Sequence, residues 1–146
     1  MTPTRKLIIE TDGACRGNPG LAGAGVIIKD ENGAKIETIG TFLGVTTNNQ
    51  AEYRALIEGL EAVARHDPAA VTVRMDSELV VRQMTGVYKV RNPGILPLYS
   101  QAMALVNALP SVSFEHVPRE QNPGADRVAN VAIDSRMIRG RSAQHQ

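Results

Sequence analysis

The sequence has one cysteine, few aromatic residues, no long apolar run and almost no net charge. Its single cysteine, Cys15, cannot form a disulfide within the chain and cannot by itself supply a cysteine-based zinc site. No apolar run approaches the roughly 18 residues that a membrane-spanning helix needs, and the N-terminal segment turns polar after Ile9, before a signal-peptide core could form. We therefore expect a soluble, cytoplasmic protein with no membrane partner.

The scarcity of aromatic residues and of net charge limits the binding partners that composition alone would suggest. With 16 basic and 15 acidic residues the formal charge is +1, which gives no bulk electrostatic reason for a polyanionic partner. The aromatic residues are too scattered for the stacking platforms of general single-strand binders. If a nucleic acid binds, we expect duplex shape and backbone contacts to dominate. The aromatic residues are Phe42, Tyr53, Tyr88, Tyr99 and Phe114.

The hydrophobic periodicity predicts elements in the order βββαβααβα. Three strands separated by glycine-rich and asparagine-rich turns predict an antiparallel meander, and the helical segment that follows predicts a crossover to a parallel strand. The fold class is therefore α/β, with a five-stranded mixed sheet of three antiparallel strands and two parallel additions, flanked by helices. We predict one domain over residues 1–137 and a flexible C-terminal tail over 138–146. The predicted strands are 5–12, 23–30, 34–44, 70–76 and 111–118, and the predicted helical segments are 46–67, with Thr47 or Asn48 as the N-cap, 77–86, 95–109 and 122–137.

Four carboxylates occupy positions that the binary pattern does not explain. Asp12 and Asp76 end predicted strands, where an open sheet with crossovers normally forms its ligand crevice. Glu52 shares a helix stripe with Leu56, because residues 56, 59 and 63 all lie within about 40° of residue 52 on a helix. Asp126 likewise falls on the apolar side of the last helix. Two strand ends and two core-facing helix positions thus aim carboxylates inward.

Such a cluster suggests either protonated acids or bound metal, since like charges at close range raise each other's pKa unless a cation compensates. Oxygen ligands favour Mg²⁺ or Mn²⁺ over zinc. Carboxylates that hold two such ions about 3.5–4 Å apart serve in-line phosphoryl transfer. The alternative for each residue is structural: helix-dipole stabilisation for Glu52 and Asp126, and turn capping for Asp12 and Asp76.

The four acids lie in four strings that occur in the order TDGACRGNPGLAGAG, TTNNQAEYRAL, MDSELVV and NPGADRVAN. In identity, order and spacing these strings resemble type 1 ribonuclease H from about Lys6 to Ile133. The sequence is most similar to the compact form found as the N-terminal domain of bacterial fusions with an acid phosphatase, although 146 residues leave no room for a phosphatase. The resemblance implies the ribonuclease H-like fold and an endonuclease that cleaves the RNA strand of RNA/DNA hybrids without sequence specificity.

The resemblance also implies a two-metal mechanism that leaves 3′-hydroxyl and 5′-phosphate ends. Asp12 would bridge two Mg²⁺ ions, Glu52 and Asp76 would complete one metal site, and Asp126 would complete the other. Mn²⁺ is expected to substitute for Mg²⁺. Glu52 would also contact a 2′-hydroxyl of the RNA strand, the group that distinguishes RNA from DNA.

Substrate contacts carried over by the resemblance lie near the first turn of the predicted α1. Gly13, Asn48 and Asn49 would line the minor groove on the RNA strand, and Asn18 and Thr47 would hold a phosphate of the DNA strand. A capping or turn role for these residues is compatible with those contacts, because the free N–H groups at a helix start bind anions. We expect a monomer whose partner is an RNA/DNA hybrid.

Two departures from the better-known form of the family concern substrate grip and product release. The basic helix that many members insert after the second helix is missing, and only residues 87–94 stand there, with Lys89 and Arg91 as a reduced version. Many members of the family also carry a histidine in the loop before the last acid, and in this sequence that loop has no histidine. His116 falls in the predicted fifth strand, so Arg119 is the candidate catalytic substitute.

Other functions are weaker fits to the residues. A thiol nucleophile at Cys15 lacks a recognisable His or Asp partner pattern, and the glycine-rich string matches no nucleotide-binding motif. A nuclease of the same architecture could instead act on double-stranded RNA or branched DNA, or the domain could bind hybrids without cleaving them. A binder would lose affinity by presenting four carboxylates to phosphates. Outside those four acids the chain has 16 basic against 11 acidic residues, or +5, so the near-zero total combines two unlike regions.

Overall fold

The computed structural model describes residues 5–142, and the side chains of residues 5–136. Within these residues the chain forms five strands and four α-helices in the predicted order, with one turn of 3₁₀ helix at Arg119–Gln121 before the last helix. The strands are β1 Lys6–Gly17, β2 Gly20–Asp30, β3 Lys35–Thr46, β4 Ala70–Met75 and β5 Val112–His116. The helices are α1 Asn48–Ala64, α2 Glu78–Met84, α3 Leu96–Ala108 and α4 Pro123–Ser142.

The sheet has the order β3-β2-β1-β4-β5, which confirms the predicted α/β class and mixed sheet. The pairs β1/β2 and β2/β3 are antiparallel, and β1/β4 and β4/β5 are parallel. Helix α1 packs on the sheet face that carries Ile9 and Thr11, with α3 against α1, and α4 packs on the opposite face. The main core lies between α1 and the sheet, where Ile9, Leu56 and Val63 are fully buried.

The first hairpin extends further than the sequence pattern predicts. We expected β1 to end at Asp12 and a turn-rich loop to cover residues 13–20, but Ala14 pairs with Gly23 and Cys15 pairs with Ala22. Both strands therefore continue to a tight turn at Asn18 and Pro19. Glycine and small side chains, which weaken a strand on propensity grounds, let the helices on both sheet faces approach this hairpin closely.

The C-terminal helix α4 also runs past the predicted domain boundary. Its backbone is helical through Ser142, whereas residues 143–146 of the predicted tail lie outside the described residues. The division at residue 137 and the flexibility of residues 138–146 stay predictions. None of the helices within residues 5–142 is long and apolar enough to cross a membrane.

Helix α4 lies directly on the backbone of β2, at two glycines. A Cβ at Gly25 would stand 2.1 Å from the carbonyl oxygen of Ala125, and a Cβ at Gly23 would stand 2.4 Å from that of Ala129. Such distances are impossible for real atoms, so α4 can occupy this position only because these residues lack side chains. Because α4 also carries Asp126, the same glycines determine how close that carboxylate comes to β1.

We predict that Gly25→Ala lowers the free energy of unfolding by about 2–3 kcal/mol, since the added methyl group must push α4 from the sheet. Gly33→Ala is the control: Gly33 has φ +88° but nothing within 4 Å of a Cβ, so backbone strain alone should cost about 1 kcal/mol. Urea denaturation measures both variants. A loss for Gly25→Ala no larger than that for Gly33→Ala would show that the helix does not need this close approach.

Candidate active site

Asp12 and Asp76 are brought level by the parallel pairing of their strands. The register pairs Glu10 of β1 with Arg74 of β4, so each aspartate lies two residues beyond that pair. Asp12 is still within β1, whereas Asp76 follows the last residue of β4. Ser77 then begins α2 as its N-cap, accepting a hydrogen bond from the backbone N–H of Val80 at 3.3 Å. The strand ends thus present two carboxylates at one edge of the sheet, as predicted.

Glu52 reaches the same place from the first turns of α1. A Cβ at Gly13 would stand 2.3 Å from the backbone carbon of Ala51, so only glycine allows α1 to approach β1 this closely. The backbone N–H of Gly13 donates a hydrogen bond to the Glu52 carboxylate. Thr47 caps the helix in a capping box with Gln50. The predicted inward stripe is confirmed, because Glu52 is buried together with Leu56.

Asp126 lies in the first turn of α4, and a buried asparagine ties that turn to β1. The Asn122 side chain donates a hydrogen bond from Nδ2 to the backbone carbonyl of Thr11 at 3.1 Å, next to Asp12 in the chain. Asp126 itself is half-buried, and it is close enough to Asp12 and Asp76 to raise the pKa of both. The structure therefore brings together all four acids that the sequence singled out.

The carboxylates are crowded enough to change their protonation. One oxygen from each of Asp12, Glu52 and Asp76 can be chosen so that all lie within 4.8 Å of one another. Burial raises the pKa of Asp12 well above its usual value, and the charges of Glu52 and Asp76 raise it further. Burial also raises the pKa of Glu52 and of Asp76, although the positive charge of Arg119 opposes both shifts. In the absence of a cation each of these groups is therefore protonated more readily than a free carboxylic acid.

This donor set suits a divalent cation of the Mg²⁺ class. The donors are all carboxylate oxygens, which Mg²⁺ and Mn²⁺ prefer and which zinc sites use less. Among the described residues, the Oδ2 atom of Asp76 is buried and has no hydrogen-bond partner. A buried oxygen without a donor is costly, and a bound cation would satisfy it while offsetting the repulsion.

Arg119 borders the same open cavity of about 310 Å³. Its guanidinium is the one positive group among the described residues that line the cavity, and its charge lowers the pKa of Glu52 and Asp76 relative to burial alone. The sequence placed Arg119 in the loop before the last acid, and the structure places it beside two of the carboxylates. The lining residues are Asp12, Gly13, Asn48, Glu52, Asp76, Ser77 and Arg119.

A second polar cavity, of about 320 Å³, lies beside the first turn of α1. Asn18 joins the hairpin to α1 here, because its Oδ1 accepts a hydrogen bond from the backbone N–H of Asn48 at 3.0 Å. Asn49 faces this cavity, whereas Asn48 and Gly13 border the acidic one. The residues predicted to contact the RNA strand and those predicted to hold a phosphate of the DNA strand are thus neighbours. Asn49 belongs to the first group but lies beside the second. The lining residues are Asn18, Thr47, Asn49, Gln50, Asn92 and Ile95.

Sequence reasoning missed Asn92 and Gln50 as parts of this second cavity. Asn92 precedes Pro93 and Gly94, so the sequence indicates a turn here, but that signal does not show that the turn faces α1. Its Oδ1 accepts a hydrogen bond from the backbone N–H of Gly94 at 2.7 Å, and the Gln50 side chain donates to the carbonyl of Gly94 at 3.4 Å. These bonds hold the 87–94 loop against the start of α1.

The remaining candidate residues lie apart from the acidic cavity. Cys15 contacts backbone carbonyls of Gly17 and Thr46, and His116 is exposed at the end of β5. A larger cavity of about 370 Å³ between β3 and α4 is mostly apolar and includes no carboxylate in its lining. The acids and the second polar cavity therefore form the candidate active site.

Comparison with known proteins identifies the family. The profile of the reverse transcriptase-like family matches residues 10–132, which is most of the chain. The chain shares 41% sequence identity with the N-terminal RNase H domain of Rv2228c from Mycobacterium tuberculosis, covering 94% of this chain and 99% of that one, with a TM-score of 0.89. This protein belongs to the type 1 ribonuclease H family.

Two further type 1 ribonucleases H support the assignment. The chain is 38% identical to RNase H1 from Halobacterium salinarum, covering 89% of this chain and 98% of that chain, with a TM-score of 0.86. It is 46% identical to LC11-RNase H1, isolated from compost and solved in complex with an RNA/DNA hybrid, covering 90% and 99% of the two chains with a TM-score of 0.86. Against the whole bifunctional protein Rv2228c, the identity is 44% over 131 residues, and this ribonuclease H chain spans 36% of that protein's length.

We predict that this ribonuclease H, without metal, loses stability as the pH rises. The pKa values of Asp12, Glu52 and Asp76 in the folded protein are raised above the unfolded value of about 4. Their contribution to the free energy of unfolding is therefore fully present below about pH 4. It is lost as the pH rises through the folded values. Between pH 5 and pH 8 in EDTA, Asp12→Asn should reduce this loss by about 1–2 kcal/mol.

Urea denaturation at both pH values tests the expectation, with Glu61→Gln, an exposed acid of α1, as the matched control. Added Mg²⁺ should stabilise the wild type at pH 8 more than it stabilises Asp12→Asn. If the wild type and Asp12→Asn showed the same pH dependence, the buried carboxylates would not repel one another in the free protein.

Proposed function

We propose that the chain is an endonuclease that hydrolyses the RNA strand of RNA/DNA hybrids without sequence specificity, leaving 3′-hydroxyl and 5′-phosphate ends. The observation that carries the proposal is the convergence of four acids, on β1, on α1, just after β4 and on α4, beside exposed asparagines at a helix start. The family assignment and the hybrid bound to LC11-RNase H1 support the substrate class. A monomeric state and a cytoplasmic location belong to the same proposal.

The proposed cofactor is a pair of Mg²⁺ ions, with Mn²⁺ as a substitute. Asp12 would contact both ions, Glu52 and Asp76 would complete one site, and Asp126 would complete the other. When bound, the ions would supply Lewis-acid activation of the attacking water and stabilisation of the leaving oxygen. The protein's part is to hold the four carboxylates on rigid elements, so that little rearrangement is needed when phosphate arrives.

The proposed discrimination between RNA and DNA comes from the side of the cavity formed by α1. Glu52 can accept a hydrogen bond from a ribose 2′-hydroxyl, which DNA lacks. Asn48 and the backbone of Gly13 border the same cavity and offer amide and peptide groups to the minor groove. The deoxy strand would lie across the second cavity, where the side chains of Asn18, Thr47 and Asn92 border a space suited to a phosphate, and Asn49 of the same cavity would reach the minor groove on the RNA strand.

Arg119 would act on the cleaved phosphate rather than as a proton carrier. A guanidinium does not release its proton in the working pH range, which separates its chemistry from that of a histidine. From its position beside Glu52 and Asp76 it can attract the new 5′-phosphate away from the carboxylates. We therefore assign it to product release.

We predict that purified protein with Mg²⁺ or Mn²⁺ cleaves a labelled RNA/DNA hybrid. Asp76→Asn should lower the rate more than the roughly 100-fold that is typical when a residue that only hydrogen-bonds a metal ligand is lost. Duplex RNA and duplex DNA of the same sequence should be cleaved far more slowly. Glu61→Gln is the control for removal of an exposed acid.

Each alternative has its own result in that assay. Cleavage of duplex RNA or duplex DNA at a rate comparable to that of the hybrid would show that the proposed substrate class is wrong. Binding of the hybrid without cleavage in either metal would identify a binding module. Cleavage by Asp76→Asn at the wild-type rate would remove the acids from the mechanism.

We predict that Asn92→Ala and Arg119→Ala separate binding from product release. Loss of the Asn92 contact to a charged phosphate should raise KM about tenfold with little change in kcat. Arg119→Ala should lower the steady-state kcat while leaving the single-turnover rate near the wild-type value. Asn107→Ala, an exposed asparagine on α3, is the control. A drop in the single-turnover rate of Arg119→Ala would instead place Arg119 in the chemical step.

A further inference from the structure

A chain of polar contacts leads away from Asp126 along α4 and ends on the first hairpin. The Nδ2 atom of Asn130 donates to the carboxylate Oδ1 of Asp126 at 3.3 Å and to its backbone carbonyl at 3.0 Å. Asp126 and Asn130 are both half-buried and lie one helical turn apart. Asn130 is thus the residue whose side-chain donor faces the carboxylate from within the same helix.

The orientation of the Asn130 amide is fixed from the other side by Arg16. Nη2 of Arg16 donates to the Oδ1 of Asn130 and to its backbone carbonyl, both at 3.4 Å. A guanidinium only donates, so it selects the amide oxygen and leaves the NH₂ group facing Asp126. Without Arg16 the amide could rotate and present its oxygen to the carboxylate.

Arg16 is in turn held by Asp134 one turn further along α4. Its Nη1 lies 2.7 Å from the Oδ1 of Asp134, and this hydrogen-bonded pair lowers the pKa of Asp134. Arg16 and Asp134 are 39% and 54% exposed, so the pair is a weak contributor to stability by itself. Its effect is geometric, because it leaves the second arm of the guanidinium directed at Asn130.

We infer that Asn130 is a positioning residue for the carboxylate of Asp126, with Arg16 and Asp134 fixing its amide. This inference rests on the proposed function, in which Asp126 holds one of the cations. A carboxylate that ligates a metal is usually held by a hydrogen bond from a neighbour, and loss of that neighbour commonly weakens metal binding by about 10–100-fold. Asn130 supplies that bond to Asp126 on α4. Asp126 is not one of the three acids whose carboxylate oxygens lie closest together.

Helix formation alone does not account for asparagine at position 130. Asparagine is a poorer helix former than alanine, and its polar group is half-buried beside the fully buried Ala129 and Ile133. An alanine would fit the helix better and would need no partner. The bonds to Asp126 and from Arg16 account for the asparagine.

The test compares Asn130→Ala and Arg16→Ala with Arg65→Ala, which breaks an exposed ion pair to Glu37 at the far end of α1. The first measurement is the Mg²⁺ concentration that gives half-maximal hybrid cleavage. The second needs no turnover: hybrid affinity is measured by fluorescence anisotropy in EDTA and in Ca²⁺, a hard cation that takes the same oxygen ligands. Thermal denaturation without metal checks that each variant is folded.

Asn130→Ala should raise the half-maximal Mg²⁺ concentration about tenfold and reduce the gain in hybrid affinity on adding Ca²⁺, with unchanged affinity in EDTA. Asn130→Asp, which keeps the shape but replaces the donor with a second charge, should show a larger shift. Arg16→Ala should show a smaller shift in the same direction, and it provides the test if the Asn130 variants do not fold. Arg65→Ala should match the wild type.

Cleavage by Asn130→Ala with the wild-type metal dependence and the wild-type gain from Ca²⁺ would overturn the inference. So would a fall in thermal stability with no change in metal dependence, because Asn130 would then be structural only. If the wild type itself failed to cleave the hybrid, the proposed function would be wrong, which is a different outcome from an active wild type with an unaffected variant.

Discussion

Electrostatic repulsion among buried carboxylates is the constraint around which this domain is built. Asp12, Glu52 and Asp76 are held within a few ångströms of one another, although each would be more stable in water or farther apart. They cannot separate, because each belongs to a different rigid element that the core holds in place. Burial of residues such as Ile9 and Leu56 supplies the stabilisation that keeps the acids together.

Close approach of backbones, rather than long side chains, makes that convergence possible. Gly13 allows α1 to contact β1, and Gly25 allows α4 to lie on β2. Each missing side chain lets a helix that carries one of the acids lie closer to the sheet. The glycines in the first two strands therefore determine the dimensions of the site, and their contribution to strand stability is secondary.

Much of this arrangement could be predicted from the sequence, and the rest depends on contacts that a local pattern does not encode. Periodicity gave the order of elements, and the strand-end and helix-stripe positions of Asp12 and Glu52 were enough to predict that they meet. The length of the first hairpin was underestimated because residues 13–17 have turn propensity, while their strand pairing depends on Ala22 and Gly23 of the next strand. Tertiary packing overrides propensity at such positions.

The contacts of Arg16 and Asn92 could not be predicted from the sequence, for a related reason. Arg16 meets Asn130 across 114 residues of chain, and that meeting depends on how α4 lies on the hairpin. Asn92 faces α1 only because of the conformation of the loop that precedes α3. Neither the spacing nor the type of a residue determines such a placement without the packed elements around it.

The parallel pairing of β1 and β4 sets the distance between the two aspartates that follow it. Adjacent strands in a sheet are separated by about 4.8 Å, a distance set by backbone hydrogen bonds and independent of side-chain identity. Asp12 and Asp76 each lie two residues past the paired residues Glu10 and Arg74, so the separation between the strands also sets the separation between these two aspartates. The connection between α2 and α3 has no part in setting it. A longer or more basic segment can therefore replace residues 87–94 and change how the domain grips a duplex without altering the distance between these two acids.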